Sequence, residues 1–161
     1  MKRILTATAI AAALTAGNAQ AAGQATSGFN VTINLTSACT VTSPTDVVFA
    51  YTSLQAGAST SSGGTFTVNC TTSLPYTLAL QAGTTAPFNS VATTIPSITD
   101  NVVQLNYSLA LSAGSGVGNG LAGTGFTING NMNGGQAGTC ASATCDNLTS
   151  TNRRQTLIVN Y

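Results

Sequence analysis

Val103-Gln104-Leu105-Asn106-Tyr107-Ser108-Leu109-Ala110-Leu111 is the longest run in the chain in which large apolar and polar or small side chains alternate. Successive side chains of an extended strand point to opposite faces, so a period of two gathers the large residues on one face. A helix would scatter them around its circumference. The same period recurs on both sides of this run. It appears in Thr65-Phe66-Thr67-Val68-Asn69-Cys70, Pro75-Tyr76-Thr77-Leu78-Ala79-Leu80, Phe126-Thr127-Ile128-Asn129 and Thr156-Leu157-Ile158-Val159-Asn160-Tyr161. Asp46 to Tyr51 and the short Thr40-Val41 are further strand candidates, and Phe29-Asn30-Val31-Thr32-Ile33-Asn34-Leu35 reads as a half-buried strand. Residues 57–64, 84–101, 114–125 and 134–152 are rich in Gly, Ser, Thr, Asn or Pro and read as loops or irregular segments. About seven strands separated by such turns predict an all-β, antiparallel sandwich in preference to a closed barrel.

Composition narrows the chemistry. The 161 residues carry four basic side chains, three acidic ones and no histidine, with charged residues at 4%. A soluble domain ordinarily has about 25%. Without an imidazole, and with carboxylates only at Asp46, Asp100 and Asp146, neither a hydrolase triad nor an acid–base pair is readily assembled, so no enzyme is expected. Two of the four cations are Lys2 and Arg3, which leaves no basic patch for nucleic acid. The three Asp lack D-x-D-x-D spacing for calcium, and the cysteines lack C-x-x-C spacing for zinc. No cofactor, metal or small-molecule substrate is expected. Hydrophobic residues still make up 43%, enough for a core.

Residues 1–21 have the form of a secretory signal: Lys2-Arg3, an apolar stretch from Ile4 to Leu14, and Ala19-Gln20-Ala21 as a cleavage site. The apolar run is shorter than the roughly 20 residues that span a bilayer. Export would carry Cys39, Cys70, Cys140 and Cys145 into an oxidising compartment, where disulfides persist. Four cysteines allow three connectivities. Cys140 and Cys145 are separated by small residues, so a local bridge is easy, and it would leave Cys39 with Cys70. Asn-x-Ser/Thr occurs at Asn30, Asn34, Asn69, Asn106 and Asn147, as expected by chance in a chain so rich in Asn and Thr.

Four stretches resemble the spore coat protein U family, the pilin-like subunits of archaic chaperone–usher fibres. They are Phe29 to Val41 leading into and past Cys39, Thr67 to Cys70 followed by Pro75 to Leu80, Leu105-Asn-Tyr-Ser-Leu109, and Gln155 to Tyr161. The resemblance implies an incomplete immunoglobulin-like sandwich that lacks its last strand and is completed by a donor strand from another copy. Carried onto this chain, residues 22–35 are the donor segment, with Phe29, Val31, Ile33 and Leu35 as its apolar face. Residues 36–161 are the sandwich, and Leu157, Val159 and Tyr161 line the acceptor edge. Cys39 and Cys70 would be the structural pair. The Cys140–Cys145 pair departs from the pattern in a Gly-rich approach to the last strand. The implied function is a structural subunit of a surface fibre or coat, exported through the periplasm and serving adhesion or biofilm formation. Its implied partners are other pilin subunits, a periplasmic chaperone and an outer-membrane usher. A monomeric secreted surface-binding module is the alternative.

Overall fold

The computed structural model describes residues 24–161; the expected signal segment 1–21 lies outside the described residues. The chain divides after Asn34, and Leu35–Tyr161 forms the compact unit.

That unit is all-β apart from one 3-10 turn at Gly120–Ala122. Its strands are β1 Cys39–Val41, β2 Ser59–Cys70, β3 Pro75–Gln81, β4 Thr94–Thr99, β5 Asn106–Leu111, β6 Ser115–Val117, β7 Thr124–Met132 and β8 Thr156–Asn160. Every pairing is antiparallel. One sheet runs β1-β2-β7-β5-β4 and the other β6-β3-β8, and the core contains side chains from both, which makes a two-layer β-sandwich.

The alternation decides what enters the core. From β2, Phe66, Val68 and Cys70 are buried; from β7, Phe126 and Ile128; from β3, Tyr76, Leu78 and Leu80. Phe66 stands opposite Phe126 in the ladder with its ring stacked at 5.6 Å, and Tyr76 meets Phe126 edge-on at 6.2 Å, which ties the layers together. Cys39 lies directly opposite Cys70 and is bonded to it; the second disulfide joins Cys140 and Cys145.

Several expected boundaries are corrected. β2 begins at Ser59, inside the stretch 57–64 read as a loop, because β7 offers it a ladder from Met132 to Gly130; a bulge separates Ser61 from Gly64. At Gly64 a Cβ would come within 2.8 Å of Ile128 Cβ, so the backbone passes where a side chain does not fit. β4 arises in the stretch 84–101 read as irregular. It is an edge strand, where Pro96 is tolerated, and its register shifts between Ile95 and Ile98. β5 begins at Asn106 and not at Val103, because the Asp100 carboxylate accepts the backbone N–H groups of Val102 and Val103 and closes a turn there. β6 and the 3-10 turn fall in the Gly-rich stretch 114–125, and 46–51, read as a strand, pairs with no described strand.

Candidate strand-exchange site

β8 lies at the end of its sheet. Its ladder to β3 runs from Thr77↔Asn160 to Gln81↔Thr156, and no described strand pairs with its other side. Leu157 and Val159, opposite Leu80 and Leu78, are half-buried and pack against the core. Ile158, opposite Ala79, points to the other face and is buried there; Tyr161 is 64% exposed. An edge strand of this kind offers unpaired N–H and C=O groups beside incompletely covered apolar side chains.

Sequence reasoning missed a second unpaired length of backbone. Residues 46–51 keep strand phase without a strand partner: Val47, Phe49 and Tyr51 are half-buried, whereas Val48 is exposed. Among the described residues none of their N–H groups donates to another backbone group. Val47 packs against the core, and Val47 and Phe49 lie over Gly130, where a Cβ would come within 2.4 Å of Phe49 Cζ. Phe49 meets Tyr107 at 5.8 Å between ring centroids, and Gln155, the residue before β8, donates from Nε2 to the Tyr107 hydroxyl at 3.3 Å. Tyr107 thus links the unpaired 46–51 to the root of β8. Burial pushes its phenol pKa up, the Gln155 bond opposes this, and the Asp100 charge adds to it.

In the first unit, described from residue 24, the stretch through Asn34 has no strand, which corrects the half-buried strand expected at 29–35. Phe29, Val31 and Ile33 are 86%, 73% and 84% exposed, and Leu35, at the start of the second unit, is 79% exposed. A single alternating strand without a partner has no ladder to hold it extended.

No group of three or more metal-ligating side chains occurs among the described residues, and no described helix is long and apolar enough to cross a membrane. Of the three carboxylates, only Asp100 is buried. What the site offers is main-chain hydrogen bonding along a strand, together with apolar side chains of period two.

The profile of the family described as Spore Coat Protein U domain matches residues 25–139, from within the exposed segment to just before Cys140. No curated protein matches the chain. With its antiparallel sandwich and a profile match over most of its length, the chain belongs to the spore coat protein U domain family, whose members are structural, pilin-like domains.

Proposed function

We propose that this protein is an exported surface-fibre or coat subunit that polymerises by strand exchange, with the exposed segment of one copy completing the sandwich of the next. The observation that carries the reading is the free edge of β8, where Leu157 and Val159 pack against the core, in a chain that also has an unpaired alternating segment with Phe29, Val31, Ile33 and Leu35 exposed. A strand laid along β8 would take up its unpaired backbone groups and set alternate apolar side chains against the core, each contributing roughly 1.5–3 kcal/mol when fully buried. The half-buried, unpaired 46–51 supplies a second length of backbone for the same strand. Before exchange, such an edge needs protection, which is the role of a periplasmic chaperone, and an outer-membrane usher would release subunits in order.

The test is Ile33→Asp in the full chain. The natural chain should run as a ladder of heat-sensitive multimers on unboiled SDS gels. The variant should remain monomeric with an unchanged melting temperature, since Ile33 is 84% exposed and its loss removes nothing from the folded body. Normal multimers from Ile33→Asp would overturn the donor assignment. A natural chain that stays monomeric would favour a surface-binding module instead.

A further inference from the structure

Asp100 is 2% exposed, in a chain that has only three carboxylates. It sits at the end of β4, and its partners come from two places. Its Oδ1 accepts the backbone N–H groups of Val102 at 2.8 Å and Val103 at 3.0 Å, which shapes its own turn. Its Oδ2 accepts Nδ2 of Asn147 at 2.9 Å, from the segment that leads into β8. The same turn and the same segment are joined four more times: the Asn101 backbone N–H donates to Asn152 Oδ1 at 3.3 Å, and three side-chain donors add to it. Asn101 Nδ2 donates to Thr151 Oγ1 at 2.8 Å, and Asn152 Nδ2 donates to the Thr99 carbonyl at 2.6 Å. The Ser150 hydroxyl, itself buried, lies 2.6 Å from Asn101 Oδ1 and 2.7 Å from Asn152 Oδ1.

The entry to β8 is fastened again. Gln155 Oε1 accepts the Gly83 N–H at 2.8 Å, and the Thr156 hydroxyl donates to the Gly83 carbonyl at 2.6 Å. β8 itself has one ladder, of five residues. A short strand paired on one side opens readily unless its ends are held, and a charged acceptor in a buried site makes the strongest hydrogen bonds of such a network.

We propose that Asp100 is a positioning residue for strand exchange: through Asn147 it anchors the 146–155 segment to the β4–β5 turn and so holds β8 in place as a preformed edge. The inference rests on β8 being the acceptor, and its test separates the two ideas. Hydrogen exchange of the full chain reports on β8 directly, and a synthetic peptide of residues 24–37, fluorescently labelled and added to the Ile33→Asp chain, reports on acceptance.

In Asp100→Asn the Asn147 amide faces a neutral amide in place of a carboxylate, so the charge-assisted bond is lost. The β8 amides should then exchange about tenfold faster, the loss of one charge-assisted bond, while β2 and β7 amides change less than about twofold. The peptide should dissociate faster by a similar factor. The exchanged pair Asp100→Asn with Asn147→Asp restores one carboxylate facing one amide and should recover most of the protection. If Asp100→Asn does not fold, Asn152→Ala removes bonds to Thr99 and Ser150 and should open β8 selectively in the same way. Unchanged β8 exchange, uniform acceleration across all strands, or no recovery in the exchanged pair would overturn the positioning role. Failure of the peptide to bind even the chain with native Asp100, with β8 exchange as expected, would overturn the acceptor reading and leave the clasp standing.

Discussion

Val159 stands opposite Leu78 in the β3–β8 ladder, yet Leu78 is 1% exposed and Val159 only half-buried. The two side chains pack into the same core from adjacent strands. On its other side the Leu78 N–H donates to the carbonyl of Gly114, just before β6, whereas no described strand pairs with the other side of Val159. The difference in burial measures how far the core is covered at this edge.

From that difference follows a prediction for Val159→Asp. A carboxylate at the half-buried position should lower monomer stability by about 1–3 kcal/mol, through lost apolar contact and partial desolvation of the charge. Its effect on polymer should be far larger, since an incoming strand would bury the charge fully. Thermal melts of the monomer and multimer ladders of the same preparation check both halves.

The two disulfides should differ in their contribution. Cys39–Cys70 closes a separation of 31 residues and Cys140–Cys145 one of 5. In the chain-entropy description these amount to about 4 and about 2 kcal/mol. Replacing Cys39 and Cys70 by Ser should therefore lower the urea midpoint more than the same change at Cys140 and Cys145. The first pair also ties β1 to β2 within the core; the second lies exposed in a loop.

Acid should act through Asp100. Burial alone would raise its pKa, but the bonds from the Val103 N–H, the Asn147 amide and the Val102 N–H together hold it below the usual value. A carboxyl whose pKa is lower folded than unfolded binds more protons when unfolded. Its stabilisation is therefore complete at pH above the ordinary carboxylate value and is lost as pH falls through the lowered, folded one. Urea midpoints measured from neutral pH downward should decline across that window. In Asp100→Asn the curve should start lower and decline less.

Gly130→Ala probes the other unpaired backbone. A methyl there would meet Phe49 Cζ at 2.4 Å and Val47 Cγ1 at 2.8 Å, so 46–51 must shift away from the sheet. Overpacking of this kind costs about 1–3 kcal/mol. Proteolysis near Val48, already 71% exposed, should quicken in the variant while the β2–β5 amides keep their protection.

Much of this was legible in the residues. The alternation of Phe66, Val68 and Cys70, of Tyr76, Leu78 and Leu80, and of Phe126 and Ile128 assigns each of them to the inner face before any partner is known, and the structure buries them all. The same period at 46–51 misled, because it records which side chains face the core and not whether the backbone beside them is paired. Ser59 to Gly64 misled the other way: six small residues with no apolar rhythm form a strand because β7 is there to pair with. Asp100 was visible as a rare carboxylate in an almost uncharged chain, but its partner Asn147 lies 47 residues away and nothing local marks it.

Side-chain period and composition, both local properties, determined by themselves that the chain is all-β and which faces are apolar. Only the tertiary structure decided which strands are neighbours, that no described strand pairs with the outer flank of β8, and that the approach to it is fastened through Asp100. The physical reason is that a backbone hydrogen bond is satisfied by whichever strand lies alongside, and that neighbour is chosen by the packing of the whole core.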